Sequence, residues 1–171
     1  KPSLAREQGL QPLADYLMNQ TYVLGPIEMF AEGLVRPERA ISSPEEALAG
    51  AQNILAEQFS MDADVRDFIR QKMLEEGIIT TAATKNAAEQ KGRFEAFHQF
   101  SEAAKSIAAG KLLTILRGVR MGQLRMDLAI NDQETVDALV ARIVKDPGSD
   151  FAQYIKGAME DAYKHMLRPA I

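Results

Sequence analysis

The sequence predicts a mainly α-helical, multi-helix domain with one short β-strand or hairpin near residues 123–130, and three observations carry that reading. The first is composition: of 171 residues 46% are hydrophobic but only 6% aromatic, with eight Met and no Trp. Such a core is filled by Leu, Ile, Ala and Met, a mixture that favours packed helices over a sandwich. The second is punctuation, because Gly and Pro recur between segments of helical spacing. The third is a single change of period, from helical to alternating, late in the chain.

Taken in order, Ser3 can cap a short helix that Gly9 stops, and Pro12 suits the first position of the next. Gly25 and Pro26 break the chain before "IEMFAEGLV", which ends near Gly33 with Pro37 just beyond. "SSPEEALAGAQNILAEQF" carries the clearest start signal: Ser43 as cap, Pro44 at the first position, and Glu46 placed to bond back to the amide of the cap. Its Leu48, Ala51, Leu55 and Phe59 recur at helical spacing and predict one buried face. "DADVRDFIRQKMLEEG" repeats the pattern with Val65, Phe68, Ile69 and Met73 and ends at Gly77, so the two helices are expected to form a hairpin. Beyond the polar, alanine-rich start of "TTAATKNAAEQKGRFEAFHQF", Phe94, Phe97 and Phe100 stand three apart and predict a helix with an aromatic face. "SEAAKSIAAGKLLTILRG" predicts another, with Leu112, Leu113, Ile115 and Leu116 as a broad apolar surface closed by Gly118.

The period then changes. In "QLRMDLAI", Leu124, Met126, Leu128 and Ile130 alternate with Arg125, Asp127 and Ala129, the pattern of a half-buried strand. "GIITT" from Gly77 is the weak candidate for its partner; otherwise the strand lies on an edge or pairs outside the chain. "QETVDALVARIV" and "SDFAQYIKGAMEDAYKHML" close the chain as helices, separated by "DPGS"; the second has Phe151, Ile155, Met159, Ala162 and Met166 on one side. Residues 1–171 therefore read as a single helical domain. Within it, helical hairpins occupy 1–76, helices with a basic turn and the strand 77–145, and a closing helix 146–171.

The formal net charge of −4 argues against whole-surface attraction to nucleic acid, so any such binding must be local. The lack of cysteine excludes disulfides and thiolate metal sites and is easiest to reconcile with a reducing compartment, so a cytoplasmic location is expected. No apolar run approaches bilayer length, and no membrane partner is expected. His98 stands one turn from Glu102 and His165 one turn from Asp161, which reads as two exposed helix pairs. A metal site needs further ligands that the sequence does not supply. "AAGKLLT" has Lys105 where a phosphate loop needs glycine and Leu112 where it needs Ser or Thr. No nucleophile motif of the G-x-S-x-G kind occurs, so no catalytic residue, cofactor or metal is assigned and the chain is not expected to be an enzyme.

One feature stands out against the acidic background. Glu102 is the last acid before Asp127, and between them lie Lys105, Lys111, Arg117, Arg120 and Arg125. This basic island spans a helix end, the turn "GVRMG" and the start of the strand, so its side chains are expected on irregular backbone. Lys and Arg so placed can neutralise phosphates without reading base sequence. The bland alternative is a solvated turn, or one paired with acids of another domain.

"LAREQGLQPLADYL", "EEALAGAQNILAEQF", "GRFEAFHQFSEAAKSI", "LLTILRGVRMGQLRMDL" and "AMEDAYKHMLRPAI", in this order, resemble the N-terminal region of the Tex family of bacterial transcription accessory proteins. The resemblance covers nearly the whole chain. It implies a larger, mostly helical protein with helix-turn-helix-like elements in this region. An RNase H-like domain that is catalytically degenerate, helix-hairpin-helix elements and a C-terminal OB-fold that binds RNA follow in such proteins. This chain is then a fragment: a helical, non-catalytic scaffold of a nucleic-acid-binding protein that contacts RNA or DNA chiefly through its other domains. The alternative is a protein-interaction scaffold docking RNA polymerase or a neighbouring domain, with no nucleic-acid contact. Family members usually carry Pro-Ser-His-Arg before the helix that leads to the turn, where this chain reads Ile107-Ala108-Ala109-Gly110-Lys111 and keeps only the charge of Lys111. An acid often precedes the second glycine of the turn, where this chain has Met121.

Overall fold

A computed structural model describes residues 2–85, 92 and 94–170. The chain falls into two units, Lys1–Asp67 with Val136–Ile171, and Phe68–Thr135. Most of the fold is helical, as the sequence predicts.

The first unit is built round one long helix. α1 (Pro2–Glu7), α2 (Gln11–Asn19), α3 (Ile27–Glu32) and α4 (Pro44–Met61) come first, and α5 (Ala63–Glu76) begins here. Ser43 caps α4, its Oγ accepting the Glu46 amide at 3.2 Å, with Pro44 following. Glu46 reaches past that cap: its Oε2 accepts from the amide and hydroxyl of Ser42 at 2.9 and 2.8 Å. These bonds, the backbone one first, hold the Glu46 carboxyl below the usual range. The expected helix stripe is buried in full, but so are Ala47, Gly50, Ile54 and Ala56. The reason is that α4 takes neighbours on several sides, α1, α2, α3 and α8 (Asp150–Ala162). Gly50 leaves room for Leu10, whose Cδ1 occupies the place a Cβ would take. Gln52 donates to the Tyr154 carbonyl at 3.1 Å, tying α4 to α8.

α1 already runs from Pro2, so Ser3 stands inside it and not at its start. α7 (Asp132–Ile143) enters this unit at Val136. The side chain of Gln20, a residue in the left-handed region, clamps the chain after α7, donating to the Ile143 carbonyl at 2.9 Å and accepting from the Lys145 amide at 2.8 Å. α8 passes into a π-helical turn (Tyr163–Leu167) and then α9 (Arg168–Ala170). The π turn adds a residue to the helical repeat. The buried stripe of Phe151, Ile155, Met159 and Ala162 therefore continues through Tyr163 and Leu167, while the expected Met166 is only half-buried.

The second unit contains a three-stranded antiparallel sheet of order β2-β1-β3, made of β1 (Ile78–Ala83), β2 (Gln99–Ala103) and β3 (Leu124–Ala129). β3 is the expected strand and lies on an edge. Its partner is the weak candidate "GIITT", which proves to be the central strand: Thr81 faces Phe100 on one side and Met126 on the other. No helix runs through Phe94, Phe97 and Phe100. A short 3-10 turn (Glu95–Phe97) leads into β2, and residues 86–91 and 93 of the expected helix lie outside the described residues. A spacing of three is the repeat of a 3-10 turn as well as a near-fit to an α-helix, so spacing could not separate them. The Thr81 hydroxyl donates to the Phe97 carbonyl at 2.6 Å, and the Phe97 and Phe100 rings meet edge to face at 5.1 Å. α6 (Ala109–Arg120) completes the unit by packing on β3.

Candidate nucleic-acid interface

The basic island is organised by α6. This helix does not end at Gly118 but runs on to Arg120. Gly118 is buried because α6 lies close to the sheet there: an added Cβ would stand 2.5 Å from Leu124 Cδ1 and 3.0 Å from Phe94 Cδ1. The stop comes at Gly122, with φ +73, where the Gln123 amide bonds the Gly118 carbonyl at 2.9 Å and the Gly122 amide bonds Val119 at 3.1 Å. That pair of bonds is a Schellman motif, which needs a left-handed residue at this point. Arg117 and Arg120 are therefore helical residues and not part of an irregular turn.

All five predicted residues are exposed, yet they do not form one patch. Lys105 sits in the turn after β2, which the Ala104 amide ties to the Gly77 carbonyl at 2.8 Å, beside the Ile78 end of the sheet. Lys111 lies in the first turn of α6, with Nζ 3.5 Å from Glu102 Oε2 and 5.8 Å from the centre of the Phe100 ring. Arg117 and Arg120 occupy the last turn of the same helix, neighbours at a spacing of three. Arg125 follows Leu124 in β3, and because side chains alternate along a strand it points away from the face that Leu124 packs against Gly118. The structure thus brings together Arg117 and Arg120, and separates from them Lys105 in the turn after β2, Lys111 at the helix start and Arg125 on the open sheet face. Among the described residues no carboxylate pairs with Lys105, Arg117, Arg120 or Arg125. Cations in a last helical turn also complement the helix dipole, a contribution of about 0.3–1 kcal/mol each.

The apolar surface expected on α6 is narrower than its sequence suggests. Ile115 and Gly118 are buried, whereas Leu113 is 63% and Leu116 36% exposed. Leu113, Leu116, Arg117 and Arg120 fall at i, i+3, i+4 and i+7 and share the outward side of the helix. The signal that could have found this stripe is Gly118, whose place beside Ile115 marks the side of closest approach.

The histidines separate likewise. His165 keeps its expected partner, Asp161, at 3.6 Å. His98 and Glu102 share no helix, since Glu102 stands in β2 and His98 just before it, and Glu102 pairs with Lys111 instead. Among the described residues no three His, Asp or Glu side chains gather as a metal site, and no helix is long and apolar enough to cross a membrane.

These features define a mainly α-helical region carrying a small, one-sided sheet and an exposed arginine pair on its helix. Residues 26–166 match the family described as Tex central region-like, and the chain belongs to the Tex family. It is 28% identical to the protein YdcI of Bacillus subtilis over the whole chain, which corresponds to 24% of that protein. It is 28% identical to the protein tex of Bordetella pertussis, over 84% of the chain and 18% of the relative. It is 30% identical to the transcriptional accessory protein Tex of Neisseria gonorrhoeae, over 85% of the chain and 20% of the relative. The chain thus spans a quarter or less of the length of these relatives.

Proposed function

We propose that this chain is a non-catalytic, cytoplasmic helical scaffold of a transcription accessory protein, and that Arg117 and Arg120 contact nucleic-acid phosphates. The observation that carries the reading is the placing of two exposed arginines side by side on α6 with no carboxylate partner among the described residues. Guanidinium groups offer forked donors that match phosphate oxygens, and such contacts hold a strand without reading its sequence. Arg125 and Lys105 meet phosphate from other surfaces of the same unit, and Lys111, already facing Glu102, contributes least. The name of the Neisseria gonorrhoeae relative supports the role in transcription. The stronger contacts to RNA or DNA belong to parts of the protein outside this chain, as the family resemblance implies.

A second reading is favoured by Leu113 and Leu116, exposed on the same side as the two arginines. On it, α6 docks RNA polymerase or a neighbouring domain and touches no nucleic acid. Fluorescence anisotropy with labelled single-stranded RNA and duplex DNA, at two salt concentrations, separates the two. The first expects salt-sensitive binding that Arg117→Ala with Arg120→Ala weakens. Binding unchanged in that double variant, or none by the unaltered chain, overturns it.

A further inference from the structure

β2 is the other edge of the sheet, and its ladder to β1 uses alternate residues. The Ala104 amide bonds the Gly77 carbonyl at 2.8 Å, and the Ala83 amide bonds the His98 carbonyl at 3.3 Å. With Ile79 facing Glu102 and Thr81 facing Phe100 between those bonds, the main-chain groups of Glu102 and Phe100 point at β1. Those of Gln99, Ser101 and Ala103 therefore point out from the edge. The Ala103 carbonyl accepts from the Ser106 amide at 3.2 Å, which closes the row at that end. Among the described residues nothing bonds the main-chain groups of Gln99 or Ser101 on that side, and both residues are exposed.

Sheet edges are commonly guarded by charges, Pro or a bulge, because an open row pairs with any strand that reaches it. β3 carries Arg125 and Asp127, whereas β2, "QFSEA", has Glu102 as its one charge. That charge is met from within the chain. Lys111 Nζ lies 3.5 Å from Glu102 Oε2 and 5.8 Å from the centre of the Phe100 ring. A row of alternating donors and acceptors matches another extended backbone. Phosphate oxygens only accept, and the groups of a helix are already engaged with one another.

We propose that β2 pairs antiparallel with β2 of a second copy of this chain, about a two-fold axis at Ser101. In that register the strand is complementary to itself. Ser101 faces its own copy and exchanges both bonds with it, and each Ala103 amide donates to the Gln99 carbonyl opposite. On one side of the joined sheet only Gln99, Ser101 and Ala103 meet, all uncharged. On the other, Phe100 faces Glu102 of the copy, so no like charges are opposed. Because Lys111 already stands over Phe100, it comes within reach of the carboxylate that the copy brings there. The axis thus adds a crossed pair of ion contacts to the main-chain bonds, which a strand of unrelated sequence does not supply.

Sedimentation of the unaltered chain over a wide range of concentration is expected to show a reversible dimer. Ser101→Pro deletes an outward amide and leaves the ladder to β1 intact, and it is expected to weaken the dimer about tenfold or more. Lys111→Glu weakens it too, and Glu102→Lys added to Lys111→Glu restores it. The chain has no cysteine, so a spin label on Ser101→Cys reports the axis directly. Labels at Ser101 are expected to broaden one another in the dimer, and labels on Met126→Cys, in the far strand, are not. Circular dichroism melting identifies any variant that fails to fold. Amide exchange needs no variant: the Gln99, Ser101 and Ala103 amides are expected to slow as the unaltered chain is concentrated. A chain that stays monomeric at every concentration, a dimer unchanged by folded Ser101→Pro, or broadening at Met126 in place of Ser101 overturns the proposal. The first of these leaves the β2 edge to a strand of another protein.

Discussion

Gly110, Gly118 and Gly122 lie on or beside the same helix, and alanine is expected to act at them in opposite directions. At Gly110 an added Cβ meets nothing within 4 Å, so Gly110→Ala gains helix propensity and stabilises by up to about 1 kcal/mol. At Gly118 the same propensity is overridden by the approach of Leu124 and Phe94, and Gly118→Ala costs about 1–3 kcal/mol. At Gly122 there is space but a left-handed backbone, and Gly122→Ala costs about 1 kcal/mol. Urea titration of the three variants checks the signs; a stabilised Gly118→Ala would remove the close packing of α6 on the sheet. Glu46 supplies a test by pH. Its folded-state carboxyl is depressed, so its contribution is present above the ordinary glutamate range and is lost as pH falls through the lower folded value. Ser42→Ala removes a hydroxyl donor, and NMR titration is expected to find the Glu46 carboxyl moved upward. At this scale the sequence was a good guide to caps, as Ser43 shows, because a cap is a bond between near neighbours. It was a poor guide to Gly118, whose role depends on side chains six and more residues away.

Among the elements, α4 and β1 hold most of the packing of their units. Ile54 is fully buried in α4, where helices surround it, and Ile54→Ala is expected to cost about 2–5 kcal/mol by chemical denaturation. Thr81, buried in the central strand, donates to the Phe97 carbonyl and so fixes the turn that begins β2. Thr81→Val leaves that carbonyl without its donor and is expected to cost about 1–3 kcal/mol, against less than that for valine at the more exposed Thr80. Equal costs at the two positions would contradict the role given to the Thr81 bond. The helices with strong caps or stripes, α4, α5 and α8, were legible because their period and their ends agree. The sheet was half legible: β3 alternates openly, but β1 is short and β2 carries an aromatic spacing that fits a helix as well. Both strands are made by pairing with partners distant in sequence, which local pattern does not record.

For the whole molecule, resemblance and physics contributed different things. The order of motifs pointed to the Tex family, which the match over residues 26–166 bears out, while composition and period pointed to helices. The neighbour expected for α4 was the following helix, whereas α8, about a hundred residues on, lies along it. The basic island was legible as a run without acids, but its division between the two ends of α6, the turn after β2 and one face of the sheet required the fold. The phosphate contact proposed for Arg117 and Arg120 lies in Phe68–Thr135, the unit in which Lys and Arg outnumber Asp and Glu. The central proposal, that Arg117 and Arg120 contact phosphate, is tested most directly by the salt dependence of duplex DNA binding. The plot of log affinity against log salt is expected to be shallower by about two units for Arg117→Ala with Arg120→Ala than for the unaltered chain, near 0.9 for each phosphate no longer neutralised. The same slope in both proteins would contradict it and leave α6 as a surface for proteins.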